Sequence, residues 1–178
     1  MEAEENVHYL VLSELPNACP KLTAAVGQYM ADAAALCFHH HGHPEGVVLE
    51  VEGHLSRRYA LSIIHVTEQI RNTYDMDEAV ELGACGVAIL VIRDITGLTV
   101  IRARKGIGID YWLGDYQGDL PFQNAARLEV SGILQGDQSR INARVKEKLD
   151  QVRTSNSPLP AYICVVEFGR PMMRVELR

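Results

Sequence analysis

Apolar positions recur along the chain at two periods, and the switches between them mark out its elements. Tyr9-Leu10-Val11-Leu12 is a run of strand length that leads to Pro16 and Pro20. Leu22, Val26, Tyr29, Met30, Ala33, Ala34 and Cys37 then recur at helical spacing, with Pro20 suited to the first turn and Gly42 and Pro44 ending the helix. Val47, Leu49 and Val51 alternate with Glu50 and Glu52, which predicts a half-buried strand. The stretch 55–74 reads as a short strand near Tyr59 followed by a helix through Val66 and Ile70.

Asp75 with Glu78 three residues on has the form of a capping box and opens a helix expected to end near Gly83. The uninterrupted apolar run 86–92 predicts a buried strand. Asp94-Ile95-Thr96-Gly97 has turn chemistry and returns the chain into a second strand, 98–101, which Lys105-Gly106-Ile107-Gly108 interrupts before it continues over 109–113. A polar loop over 114–124 precedes a third strand, 126–133. Residues 137–154 predict a helix with Ile141, Val145, Leu149 and Val152 on its apolar face, and strands 161–168 and 172–177 close the chain. The order from residue 75 is thus helix, strand, strand, strand, helix, strand, with a hairpin partner at the end. The intervening helix makes strands 126–133 and 161–168 candidates for a parallel pair. These patterns predict one α/β domain over 1–178 with a mixed sheet: an extension of helix and strands over 1–74, packed on a core over 75–178.

Composition narrows what such a domain does. The 178 residues suffice for a hydrophobic core, and no apolar run approaches the length of a membrane span. The first five residues are acidic where a signal peptide would be basic, so the expected location is cytoplasmic. A net charge of −6 opposes general adhesion to nucleic acid and leaves room for a locally basic groove or a partner subunit. Cys19, Cys37, Cys85 and Cys164 are widely spaced, form no CxxC pair and are read as reduced core residues. Cys37, His39, His40, His41 and His43 have no second Cys/His group at zinc-finger spacing and are read as a structural helix end, where imidazoles suit the dipole.

Two acids stand where strand burial does not account for them. Asp110 lies in Gly-Ile-Gly-Ile-Asp-Tyr-Trp-Leu-Gly, among residues that favour a strand as aspartate does not. Glu129 lies in Arg-Leu-Glu-Val-Ser-Gly, where the period of two puts Glu129 and Ser131 on one side and Leu128 and Val130 on the other. On neighbouring strands the two carboxylates would converge, and a hard cation such as Mg²⁺ would offset their repulsion. Against this, Asp110 at a strand end and Glu129 paired with Arg127 or Arg104 would be ordinary structure. Glu78 and Glu81 would be the acidic start of a helix. Arg140, Arg144, Lys146, Lys148 and Arg153, with Arg102, Arg104 and Lys105, would line a phosphate groove or form a solvated face.

Over 75–168 the order of elements resembles the PD-(D/E)XK, or restriction-endonuclease-like, nuclease superfamily. Asp110 matches that family's Asp on the second core strand, and Glu129-Val130-Ser131 matches in part its acidic-x-Lys on the third. The resemblance implies an αβββαβ core and metal-dependent hydrolysis of phosphodiesters, with Mg²⁺ or Mn²⁺ held by Asp110 and Glu129. It implies an extra acid from Glu81 (or Glu78) and a supporting polar role for Gln151. Ser131 departs from the pattern, because serine puts no positive charge beside the attacking water; Lys105 is the candidate migrant. The implied partners are nucleic acid, DNA ahead of RNA, and a partner subunit or second copy in a restriction or defence assembly. Two other readings stand beside it: a degenerate nuclease-fold subunit that binds protein, and a small-ligand sensor domain.

Overall fold

The computed structural model describes residues 6–116, 122–155 and 157–178. The chain forms β1 (Val7–Val11), α1 (Leu15–Ala18), α2 (Ala24–His40), β2 (Val48–Gly53), β3 (Arg57–Ser62), α3 (Glu68–Thr73) and α4 (Met76–Thr96). It continues through β4 (Thr99–Arg102), β5 (Tyr111–Asp115), β6 (Gln123–Ile133), α5 (Gln138–Arg153), β7 (Ala161–Glu167) and β8 (Met172–Leu177). The strands make one mixed eight-stranded sheet in the order β1-β3-β2-β8-β7-β6-β5-β4. The pairs β1–β3, β2–β8 and β6–β7 are parallel and the others antiparallel. The acidic segment 1–5 and residues 117–121 of the polar loop lie outside the described residues.

The run 86–92 is helical, contrary to the strand expected there: α4 is one helix of 21 residues. Asp75 caps it by accepting from the Asp77 amide, and Gly97, at φ 72°, ends it in the left-handed conformation that glycine adopts without strain. The misreading has a physical cause. An apolar run buried on every side carries no periodicity, and α4 is buried on two sides, under the sheet's first face and against α2. The approach to α2 is close: a Cβ on Gly83 would lie 2.8 Å from the Cα of Ala34. A second correction accompanies the first. The stretch 98–113 is two strands, β4 and β5, paired antiparallel around the loop 103–110. Removing one expected strand and dividing another leaves three between α4 and α5, so the expected order of elements is recovered with different members.

One face of the sheet packs Leu128, Val130, Cys164 and Val166 into the core that contains α2 and α4. The opposite face of β6 and β7 turns Ile133, Ala161, Ile163 and Val165 toward Ile141, Val145 and Val152 of α5. The crossover β6–α5–β7 thus places α5 over Glu129 and Ser131, which share Ile133's face of the strand. The histidines at the end of α2 serve as tethers: Nε2 of His41 lies 2.7 Å from the Leu134 carbonyl, and that of His43 lies 2.9 Å from the Phe168 carbonyl. All four cysteines are free, and Cys19, Cys37 and Cys164 are buried. No helix is long and apolar enough to cross a membrane among the described residues.

Candidate active site

Glu129 occupies the middle of β6 and is 2% exposed. Its Oε1 accepts from Lys148 Nζ at 2.7 Å and from Gln151 Nε2 at 2.9 Å, and Lys148 also donates to Gln151 Oε1 at 3.2 Å. Lys148 and Gln151 are one helical turn apart on α5, so both reach down onto the same oxygen. The other oxygen, Oε2, is buried and has no hydrogen-bond partner among the described residues. Burial pushes the Glu129 carboxyl up to about 7; Lys148 pulls it down, while the Asp110 carboxylate beside it pushes it up again.

Asp110 immediately precedes β5, at its first end rather than its last, next to the Tyr111–Leu128 pair of the β5–β6 register. Its amide donates to the Leu128 carbonyl at 3.0 Å, and its Oδ2 accepts from the Val130 amide at 2.9 Å. Those bonds hold the carboxylate beside Glu129. Arg102 of β4 donates from Nη1 to the Asp110 carbonyl at 3.0 Å and approaches Oδ1 at 3.4 Å, which leaves much of the carboxylate's capacity free.

The remaining expected residues divide. Ser131 accepts from Arg144 Nη1 at 2.7 Å, so the position where a strand lysine would stand anchors an arginine of α5. Glu81 of α4 lines two clefts, both of which Asp110 also lines. Its approach depends on Gly132: a Cβ there would lie 2.3 Å from the Val80 carbonyl oxygen and push α4 off β6. Glu78 is held farther out by the Tyr29 hydroxyl at 2.9 Å. Lys105 sits exposed in the β4–β5 loop and lines one cleft, but no hydrogen bond or ion pair joins it to either acid among the described residues. The lysine on the acid pair is Lys148. Glu129 pairs with neither Arg127 nor Arg104 among the described residues; Arg127 bonds elsewhere. Cys85, at the site's margin, is no nucleophile: burial pushes its thiol up to about 12, leaving it protonated at neutral pH.

Two clefts of about 970 and 790 Å³ meet at Glu81, Arg102 and Asp110, with Glu129 lining the first and Lys148 the second. The second also runs past Arg140 and Arg144. Asp77, Glu78 and Glu147 line that second cleft as well, so its walls carry both signs of charge, with Arg140, Arg144 and Lys148 as its α5 cations. Asp110 and Glu129 fit a hard divalent cation. Oε2 of Glu129 is a buried carboxyl oxygen without a hydrogen-bond partner among the described residues, and a second carboxylate stands beside it. No group of three or more His, Cys, Asp and Glu side chains is arranged to hold a metal ion among the described residues. Mg²⁺ does not need one, since it commonly binds through one or two carboxylates and completes its shell with water and phosphate oxygens.

No family model matches the chain, and no curated protein or solved structure matches it significantly.

Proposed function

We propose that this chain hydrolyses phosphodiester bonds of nucleic acid, DNA ahead of RNA, with Mg²⁺ or Mn²⁺ on a restriction-endonuclease-like core formed by α4-β4-β5-β6-α5-β7. The observation that carries the reading is the unpartnered, buried Oε2 of Glu129 beside Asp110, where two clefts lined by both acidic and basic side chains meet. Leaving a carboxylate oxygen dry and undonated costs free energy unless a proton or a cation takes it.

Asp110 and Glu129 are the residues that would hold the ion. When bound, it supplies an acidified water and neutralises charge growing on the phosphate oxygens. The chain's own groups do the rest. Lys148 and Gln151 fix Oε1 of Glu129 and so fix where Oε2 points. Lys148 also brings to the acid pair the positive charge that Ser131 cannot supply, from the helix instead of the strand. Arg144, steadied by Ser131, and Arg102, steadied by Asp110, offset phosphate charge along the groove.

The test is cleavage of single- and double-stranded DNA and RNA in Mg²⁺ or Mn²⁺ beside Asp110→Ala and Glu129→Ala. Cleavage that both variants lose while remaining folded supports the reading. Cleavage that either variant retains sinks the assignment of these ligands. A second reading, a nuclease-fold subunit that binds protein without cleaving, draws on the 2.7 Å Lys148–Glu129 pair, which already compensates one carboxylate internally. Absence of cleavage together with absence of calorimetric metal binding favours that reading.

A further inference from the structure

Two residues back along β6 from Glu129, on the same face, lies a buried cation with no carboxylate partner among the described residues. Arg127 is 5% exposed. Its Nε donates to the Leu159 carbonyl at 2.9 Å, and its Nη1 donates to the Val152 carbonyl at 3.4 Å and to the Ser155 hydroxyl. All these acceptors are neutral, and no carboxylate pairs with Arg127 among the described residues. Burial and the nearby Arg178 both weigh against its charge. A buried guanidinium without a counter-charge is costly, and arginine cannot shed its proton to escape that cost. Arg127 nevertheless lines the 970 Å³ cleft, as does Lys105 of the β4–β5 loop.

We propose that this end of the cleft is a phosphate subsite, in which Arg127 and Lys105 bind a phosphate of the nucleic-acid strand next to the one presented to Asp110 and Glu129. The spacing supports it. Two strand residues span about 7 Å, comparable to the separation of successive phosphates along an extended strand. Asp110 and Glu129 line the same cleft as Arg127 and Lys105, and Arg102 is already bonded to Asp110, so Arg127 and Lys105 are the cations of the cleft not bonded to its acids among the described residues. Trp112, the register partner of Arg127 on β5, lines the same end and offers an aromatic surface to a base or sugar. The subsite rests on the nucleic-acid reading for its substrate, but its anion chemistry is testable without catalysis.

Trp112 is the only tryptophan of the chain and reports from inside the subsite. In EDTA, the full chain is titrated with inorganic phosphate and with a short single-stranded oligonucleotide bearing a 5′-phosphate or a 5′-hydroxyl, and Trp112 fluorescence is followed. Wild type binds saturably; Arg127→Gln weakens binding about tenfold, Lys105→Ala severalfold, and Arg127→Lys falls between. A 5′-phosphate preference of about tenfold identifies a terminal phosphate as the occupant, and equal binding identifies an internal one. No saturable binding by wild type overturns the subsite, as does equal affinity in wild type, Lys105→Ala and folded Arg127→Gln. Should Arg127→Gln fail to fold, Lys105→Ala decides, because its side chain is exposed; unchanged affinity then overturns the proposal. Phosphate binding that depends on these residues without any Mg²⁺-dependent cleavage sinks the hydrolytic reading alone. Cleavage whose KM is indifferent to both substitutions sinks the subsite alone.

Discussion

Two glutamates of this sheet are almost equally buried, and their surroundings are opposite. Glu167, at the end of β7, is 0% exposed, and both its oxygens are occupied: Oε1 accepts from the Gly136 and Gly169 amides at 3.2 and 2.9 Å, and Oε2 from the Arg170 amide at 2.8 Å. It ties the β7–β8 turn to the loop before α5. Glu129, in the middle of β6, is satisfied on one oxygen and abandoned on the other, with a second carboxylate for a neighbour. Burial therefore does not separate a structural acid from a functional one. The distribution of donors does, because an oxygen left unpaired keeps its full capacity for a ligand.

The comparison breaks first, if at all, on activity. Asp110→Ala and Glu129→Ala should each reduce Mg²⁺-dependent cleavage by about 10³-fold, equivalent to about 4 kcal/mol of activation free energy. Glu167→Gln should cleave within a few-fold of wild type at any temperature at which it remains folded. A Glu167 variant as inactive as Glu129→Ala, with intact circular dichroism, would erase the distinction. Metal binding gives the next largest effect. At one hundred times its Kd, Mg²⁺ or Mn²⁺ should stabilise the wild type by about 2.7 kcal/mol, raising Tm by roughly 5–11 °C. Glu167→Gln should show the same increment and Asp110→Asn almost none; an equal rise in Asp110→Asn removes that residue from the cation site.

Stability should reverse the ranking. Glu167→Gln gives up a charge that three amides point at, at a cost of about 2 kcal/mol or roughly 4–8 °C in Tm. A melting curve unchanged from wild type would mean that those amides find other partners. A smaller catalytic effect comes from Lys148→Gln, which removes the positive charge from Oε1 but leaves both acids in place. About a tenfold fall in kcat/KM is expected, as for groups that orient a metal ligand. Lys105→Ala should instead raise KM more than it lowers kcat. The reverse pattern would return the lysine role to the loop.

The sequence made some of this site legible and concealed the rest for identifiable reasons. Asp110 and Glu129 stood out because strand positions rarely carry acids, and the β6–α5–β7 crossover followed from the stripe Ile141, Val145, Leu149 and Val152 between two apolar strands. Lys148 was readable in that same stripe: it lies seven residues after Ile141, three after Val145 and four before Val152, where an inward-facing apolar residue belongs. Counted among the basic residues of the helix, it passed for solvated charge. Arg127, Glu129 and Ser131 likewise form a polar row on one face of a strand whose other face is apolar, a sign that they meet polar groups and not a hydrophobic layer. The helix α4 was out of reach because burial on both sides erased its period. The pairing of β4 with β5 depended on contacts that a single sequence does not reveal.

The smallest effect is the most diagnostic, because it runs against the usual direction of mutation. In EDTA at pH 8, Glu129→Gln should raise stability by about 1 kcal/mol, or roughly 2–4 °C. The amide retains an oxygen for Lys148 and Gln151, and its NH₂ takes the place of Oε2, turning repulsion by Asp110 into a hydrogen bond. The gain should depend on pH with a definite sign. The folded carboxyl is raised to about 7, above its unfolded value of about 4.3, so the native wild type holds a proton that the unfolded chain has lost. Wild-type stability from this group therefore falls as pH rises through that window. The advantage of Glu129→Gln should be small below pH 5, grow between the two values and level off above pH 7. A site shaped by selection for folding alone would show the opposite, with Glu129→Gln melting lower than wild type as Glu167→Gln does. Stabilisation on removing a charge, at the position where cleavage is also lost, is what a binding site held in readiness for a cation should display.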